Sequence, residues 1–337
     1  MSVDFGALVI SLDFEIHWGG PHLWPLNGSY RGNLLGVRRA VPRILDLFEE
    51  YDIAATWATV GFLFAATRRE LEGFSPAIRP AYESPALSPY QVSLGNGEED
   101  DPFHYAPSLI DAISKRARQE IGTHTFSHYY CLERGQDRAA FKADLRSAVA
   151  IARKHGFQLR SIVFPRNQFN PDYADLLLEA GIICYRGNAR NWMYKASEMH
   201  AQKLYMRCAR LLDHYLDLSG SNLSGWDDLL ERNGLTNVAS SRFLRHYTPC
   251  LRHFDSLRLG RIVNGIQKAA VSGSIYHLAW HPHNFGSYTD ENIAFLRKIL
   301  EAFSRSRERY RMRSLNMREV AEIANSRAQM QAVQERR

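Results

Sequence analysis

The stretch ALVISLDFE, Ala7 to Glu15, decides the fold: a short apolar run, Ala7 to Leu12, ends in two acids separated by one residue. Six apolar-rich residues bounded in this way read as a buried strand. Alternate side chains of a strand share a face, so Asp13 and Glu15 project the same way while Phe14 faces the other. Polar residues just beyond the C-terminal end of a buried strand stand where an α/β barrel keeps its active site.

Working outward, the same alternation of short apolar runs with longer amphipathic segments continues for most of the first 190 residues and predicts an α/β fold around a parallel sheet. After a Gly/Pro-rich loop, Gly19 to Asn33, the segment Gly36 to Tyr51 carries Val37, Val41, Ile44, Leu45, Leu47 and Phe48 at helical spacing. Strands are expected at Ile53 to Val60, Glu120 to Gly122, Ser161 to Phe164 and Ile182 to Tyr185. Helices are expected at Phe62 to Leu71, Pro107 to Arg118, Phe141 to His155 and Asn170 to Ala180. A polar, broken stretch at about 74–107 reads as a long loop, and about 188–260 as an insertion of mixed helix and loop. Regularity returns with a helix at Leu259 to Ser272, a strand at Ser274 to Trp280, and helices at about 290–307 and 317–327. The whole chain, 1–337, is read as one domain.

With 337 residues and 45% hydrophobic content, the chain can bury a large core. No apolar stretch approaches the roughly 18 residues of a membrane span, and no secretory signal is visible. Cys131, Cys184, Cys208 and Cys250 are scattered without a C-x-x-C pair, so neither a disulfide framework nor a thiolate zinc site is expected, and a reducing cytoplasm is the simplest location. The net charge of +6 and pI of about 9.1 favour anionic partners at long range. Much of that charge lies between Arg297 and Arg318 and in the closing Glu335, Arg336 and Arg337, read as the solvated face of a terminal helix and its tail. No recognition motif accompanies it, and no nucleic-acid partner is expected. The oligomeric state is open.

The second decisive stretch is EIGTHTFSH, Glu120 to His128, in which His124 and His128 stand four apart just past an apolar strand. Two imidazoles at that spacing converge on one metal ion. Together with a carboxylate they form a two-His, one-carboxylate set with open positions, the donor set of catalytic zinc or ferrous iron. One acid of Asp13 and Glu15 binds the metal and the other accepts a proton from water; the spacing leaves open which does which. In SIVFPRNQ, Arg166 follows a strand and Pro165 and is placed to pair with a carboxylate such as Asp13. In IYHLAWHPHNFG, His281 and His283 flank Pro282 at another strand end, and either could protonate a leaving amine.

The order of these motifs resembles the polysaccharide deacetylase family, the NodB-homology carbohydrate esterases. SLDFE resembles its first motif, HTFSH matches its H-[ST]-x-x-H motif, AATWATVGFLF is similar to its second strand, and FPRNQ and AWHP match its later motifs loosely. The resemblance runs from about Val9 to Phe285 and implies a distorted (β/α) barrel of the NodB type that removes an N-acetyl or related acyl group from an amino sugar or glycoconjugate. It implies Asp13 as general base, Glu15, His124 and His128 as ligands of a divalent metal, His281 as general acid and Arg166 as the residue orienting Asp13. Zinc is the expected ion, with iron, cobalt, nickel and manganese as alternatives. D-F-E replaces the family's adjacent aspartates, so the roles of Asp13 and Glu15 could be exchanged. Candidates for substrate binding are His17, Trp18, Asn167, Trp192, Trp280 and His283, with Arg186 and Asn188 beside them. Hydrolysis of a cyclic amide such as allantoin, and an inactive carbohydrate-binding scaffold, are the alternatives within the same resemblance.

Overall fold

The computed structural model describes residues 5–189, 191–194 and 204–335. Among the described residues nine strands, β1 (Ala7–Phe14), β2 (Ala55–Thr59), β3 (Gln119–Thr123), β4 (Ser161–Val163), β5 (Cys184–Arg186), β6 (Thr236–Asn237), β7 (Arg242–Phe243), β8 (Ile275–Trp280) and β9 (Arg313–Leu315), form one sheet with every ladder parallel. The strand order is β6-β5-β4-β3-β2-β1-β8-β7, with β9 beside the start of β1. The helices are α1 (Arg31–Glu50), α2 (Arg68–Phe74), α3 (Pro107–Ser114), α4 (Arg138–Lys154), α5 (Ala174–Glu179), α6 (Leu204–Asp213), α7 (Asp255–Ser272), α8 (Thr289–Tyr310) and α9 (Met317–Glu335).

The two apparent edges of this sheet belong to one stretch of chain. Thr236 and Asn237 pair with β5, the Val238 and Ser240 amides donate to the carbonyls of Tyr185 and Gly187, and then the Ser241 and Leu244 amides donate to His277 and Ala279 of β8. A single extended segment thus leaves one neighbour and joins the other, and the sheet closes into a distorted (β/α) barrel. Closure removes the unpaired edges that an open sheet would expose.

Alternation along β1 explains how the barrel is filled. Leu8, Ile10, Leu12 and Phe14 enter the large cluster that α1, α7 and α8 cover, while Ala7 and Val9 enter a second cluster with Ala58, Val163, Cys184 and Ile275 inside the barrel. Met317, Val320, Ala321 and Ala324 of α9, with Trp226 and Leu229, close the base of that interior cluster. The inward row of β1 therefore changes from apolar Ala7 and Val9 to polar Ser11 and Asp13 as it rises, which puts the chemistry at the C-terminal rim.

Several sequence expectations are corrected. The helix expected at Phe62 to Leu71 is a 3-10 turn at Gly61–Phe64 followed by α2, whose N-cap Thr67 accepts from the Glu70 amide. The stretch at 188–260 is more than an insertion, since it supplies α6, β6 and β7 and closes the barrel; its residues 190 and 195–203 lie outside the described residues, as do Arg336 and Arg337. Two-residue and three-residue strands such as β6, β7 and β9 are too short for periodicity to register. No described helix is long and apolar enough to cross a membrane.

Candidate active site

Loops after β1, β2, β3, β4, β5 and β8 meet at the rim. The loop holding both motif histidines is zipped onto the turn after β2: the His124 amide donates to Thr59, and the Gly61 and Phe62 amides donate to the Thr125 and Phe126 carbonyls. Buried Asp144 on α4 holds it from the other side, accepting the Phe126 amide at 2.8 Å, the Ser127 amide at 3.1 Å and the Ser127 hydroxyl. Thr125 and His128 adopt left-handed backbone (φ 65° and 58°), as do Arg166 and Asn167 in the turn after β4 (53° and 54°). Non-glycine residues held there store strain, which these loops spend on aiming side chains into the barrel mouth.

Replacing Asp144 by Ala leaves two buried N–H groups without acceptors, a loss of roughly 2–4 kcal/mol. The expected result is a lower denaturation midpoint together with about tenfold or greater loss of metal affinity, since the histidine loop is no longer fixed. Chemical denaturation and metal titration of the same variant check both.

Glu15 lies at the centre of the donor set, with its Oε2 3.1 Å from His124 Nε2 and 3.0 Å from His128 Nε2. The Nδ1–H of His124 donates to the Val163 carbonyl at 2.8 Å, so in the neutral ring Nε2 carries a lone pair that faces a carboxylate oxygen. Two acceptors at that separation need a proton or a cation between them. The ligating atoms all lie within 4.8 Å of one another, and a tetrahedral ion about 2.0–2.1 Å from each ligand would set them roughly 3.3 Å apart. Burial lowers the His128 pKa to about 4 against the pull of Glu15, so the ring is neutral and ready to ligate above that pH. The residues fit a divalent cation. Gly19 is required beside them, because a Cβ there would fall 2.0 Å from Glu15 Oε1.

Asp13 is held by Arg186, whose two terminal nitrogens reach its oxygens at 2.6 and 2.8 Å. Burial alone would raise the Asp13 pKa, but the Arg186 charge and hydrogen bonds outweigh it and leave the carboxyl below its usual range. Arg186 also donates to Ser11 Oγ and Asn167 Oδ1, each at 3.0 Å. Behind it, Ser11 donates to His277 Nε2 at 2.8 Å while His277 Nδ1–H donates to the Val238 carbonyl at 2.9 Å. Arg166, expected to orient Asp13, does something else: its guanidinium bonds to His22 Nε2 at 3.0 Å and lies over the Tyr130 ring. Arg186 stands at the end of a strand running straight into the barrel mouth, whereas Arg166, on a left-handed residue, lies on the cavity wall against His22 and Tyr130, and that difference decides which of them reaches Asp13.

His277 has a testable consequence. Burial, then the nearby Arg186 charge, lower its folded-state pKa to about 3 from the usual 6.5. A base depressed in this way contributes stability fully above about pH 6.5 and loses it as pH falls toward 3. Up to about 4–5 kcal/mol is at stake by that linkage. Thermal melts from pH 7.5 to 4 should show a falling Tm, with a shallower slope in His277→Asn.

His281 Nε2 lies 3.5 Å from Asp13 Oδ2 and 3.4 Å from Glu15 Oε1, at the edge of the cavity. Tyr30 donates to Asn284 Oδ1, which turns the Asn284 amide nitrogen toward His281 Nδ1 at 3.4 Å and leaves the ring proton on Nε2. His283 is fully buried behind it, its ring stacked on His281 and pointed at by Trp24 and Tyr30.

Asp13, Glu15, His128, Arg166, Asn167, Arg186 and His281 line a common cavity of about 580 Å³. Of the remaining substrate-binding candidates, His17, Trp18 and Trp280 are placed elsewhere. His17 is buried in a chain running from Asp101 through His104 to the Trp24 carbonyl. Trp18 packs on Phe62 and donates to the His104 carbonyl, and Trp280 is buried between Phe48 and Phe285. Trp18 and Trp280 are thus packed among aromatic side chains, and His17 is held by polar partners away from the cavity. Trp192 is exposed against Tyr205, outside the cavity lining. Trp24, stacked on Tyr30 and lining the cavity, is the aromatic surface that the sequence reading missed; it sits in a Gly/Pro-rich loop without periodicity.

Residues 32–184 match the polysaccharide deacetylase family. That match spans rather less than half of the chain. The matched segment holds the HTFSH loop and the turn of Arg166, while Asp13, Glu15, Arg186 and His281 lie outside it and are brought to it by the barrel. Among solved structures, the fold is similar to that of a putative polysaccharide deacetylase from Mycobacterium smegmatis (13% identity, 96% of this chain and 92% of that one, TM-score 0.62). It is also similar to a probable polysaccharide deacetylase from Pseudomonas aeruginosa PAO1 (12%, 94% and 89%, 0.51) and to Puue allantoinase (14%, 94% and 89%, 0.50). These likenesses concern the fold. No curated protein matches the chain.

Proposed function

We propose that this protein is a metal-dependent hydrolase that removes an N-acetyl or related acyl group from an amino sugar, such as a glycoconjugate intermediate. The observation that carries the reading is the convergence of Glu15, His124 and His128 beside an ionised Asp13 in an open cavity. Glu15, His124 and His128 hold the cation, zinc by preference, and the cation when bound withdraws electron density from the scissile carbonyl and eases ionisation of water near neutral pH. Asp13 accepts a proton from the attacking water, whose oxygen bonds to the acyl carbon. Arg186 keeps Asp13 charged and aimed. As the C–N bond breaks, His281 in its imidazolium form gives a proton to the departing nitrogen and returns to the neutral ring, so that acetate and a free amine leave. His281, on the cavity, takes this role in preference to buried His283. Trp24 offers a stacking face for a sugar ring, and Asn167 a polar contact.

Exposed thiols on Cys208 and Cys250 suit a reducing compartment such as the cytoplasm. The test is metal analysis coupled to acetate release from N-acetylated sugars. We expect about one divalent ion per chain, loss of turnover with a chelator and recovery with zinc, and loss of both metal and turnover in His124→Ala. Full activity in metal-free protein would overturn the reading. Release of a ring-opened acid from allantoin in place of acetate would move it to a cyclic amide.

A further inference from the structure

The barrel mouth holds a second set of donors that the proposed chemistry leaves partly unused. Glu15 turns its two oxygens to different partners: Oε2 faces His124 and His128, while Oε1 lies 3.4 Å from His281 Nε2. His283 completes the second set, since one ligating atom each from Glu15, His281 and His283 lie within 4.8 Å of one another. The Glu15–His281 separation is already close to the roughly 3.3 Å expected between ligands about 2.0–2.1 Å from a tetrahedral ion. Asp13 Oδ2, 3.5 Å from the same His281 nitrogen, adds negative charge beside it. Glu15 and His281 line the cavity, so an ion reaches this set from solvent.

His283 is the residue that calls for an explanation. It is 1% exposed, and both of its ring nitrogens are buried without a hydrogen-bond partner among the described residues. Folded proteins rarely leave a donor and an acceptor unmatched on one buried ring. Trp24, Tyr30 and His281 surround it with aromatic rings, a setting that Phe would fill without that cost. A buried neutral imidazole with a free lone pair, beside a carboxylate oxygen and a second imidazole, has the chemistry of a metal ligand. We infer that Glu15 Oε1, His281 and His283 form a second, weaker divalent-cation site, bridged through Glu15 to the ion of Glu15, His124 and His128, and that an ion bound there stops the deacylation.

Two features make the second site the weaker one. Ions sharing a carboxylate, about 3.5–4 Å apart in two-metal sites, repel each other. Ligation through His281 Nε2 also puts the ring proton on Nδ1, so the Asn284 amide must exchange its oxygen and nitrogen and the Tyr30 hydroxyl must become an acceptor. The site therefore fills only after the first. Once filled, the Nε2 lone pair that would hold the proton for the leaving nitrogen is bonded to the ion, and cleavage of the C–N bond loses its acid. The inhibition rests on the proposed deacylation; the binding stands on the donors alone.

The test is a zinc titration of the metal-free full-length protein by equilibrium dialysis, with acetate release from an N-acetylated sugar read on the same samples. Wild type should take up one ion and then a second at least about tenfold more weakly. Acetate release should rise with the first and fall at least about tenfold with the second. His283→Phe should keep the first ion, lose the second and raise the zinc concentration for half-inhibition at least about tenfold. Its metal-free Tm should be no lower than wild type, which excludes misfolding as the cause. Asn284→Asp, whose carboxylate accepts the Nδ1–H of a ligated His281, should tighten the second ion about tenfold, a gain that damaged folding cannot produce. A single ion per chain at every zinc concentration, or a second ion unaffected by both substitutions, overturns the inference. Two ions without acetate from any sugar leave the second site standing and remove the deacylation. Acetate release with one ion and no inhibition by excess zinc does the reverse.

Discussion

Replacing Asp13 by Asn is expected to lower kcat by about 10²–10⁴-fold, the range over which a positioned acid or base acts, with metal content unchanged. Asn cannot take the proton from water, yet the Nε2 atoms of His124 and His128 both meet Glu15, and no hydrogen bond joins either ring to Asp13. The substitution also leaves Arg186 buried without its counter-charge, a loss of about 3–5 kcal/mol, so Tm falls as well. Single-turnover rates, with bound metal measured on the same sample, separate the two effects: a folded, metal-loaded Asp13→Asn protein with near wild-type kcat would remove Asp13 from the chemistry. In that event the pairing of Asp13 with Arg186 would be structural, and the site a binding scaffold.

The second large effect follows from Arg186. Arg186→Met keeps length and apolar volume but removes the two hydrogen bonds and the charge that hold the Asp13 carboxyl down against burial. Burial then acts unopposed and the carboxyl pKa rises. A general base works only when deprotonated, so the acid limb of the pH–rate profile must move to higher pH, by about 2 units or more if the removed interaction is of the usual size for an Asp beside an Arg. Activity should be lost at neutral pH and partly regained in alkaline buffer, with a stability loss of about 3–5 kcal/mol. Arg166→Met should leave the acid limb in place, since Arg166 contacts His22 and Tyr130. A profile displaced by Arg166→Met but not by Arg186→Met would restore the assignment read from the sequence.

What the sequence shows and what it hides follow from range. Asp13, Glu15 and His124 are legible because each stands at or next to the end of a strand long enough to be periodic, and strand ends share a rim; His128 follows His124 by four residues in the same motif. Arg186 was visible as a residue at a strand end, and alternation along Cys184, Tyr185 and Arg186 already puts Arg186 on the inward face of Cys184. Its partner was mistaken because FPRN offers an equally placed arginine, and only the left-handed turn at Arg166 and Asn167 sends that one aside. Asp144 reads as an ordinary polar residue on a helix; its task depends on a loop 17 and 18 residues away along the chain. His277 lies inside an apolar strand and contacts Ser11, 266 positions earlier. Such contacts are set by barrel closure, which no local pattern encodes. Aromatics were misjudged for a related reason: Trp18 and Trp280 look like sugar platforms beside the motifs, but the same turns bury them.

The segment that passes from β5 to β8 also sets an order of assembly. Its pairings are two residues long on either side, and they join parts of the chain as far apart as Cys184 and Ala279. Contacts that short cannot offset the loop-closure entropy until the flanking strands are already in place. The barrel is therefore expected to shut last, like a clasp. Ser240, Ser241, Arg242 and Phe243 belong to that clasp and wall a narrow space beside the cavity. A chain caught before closure would already hold the histidine loop against β2, yet would lack this wall of the space beside the cavity.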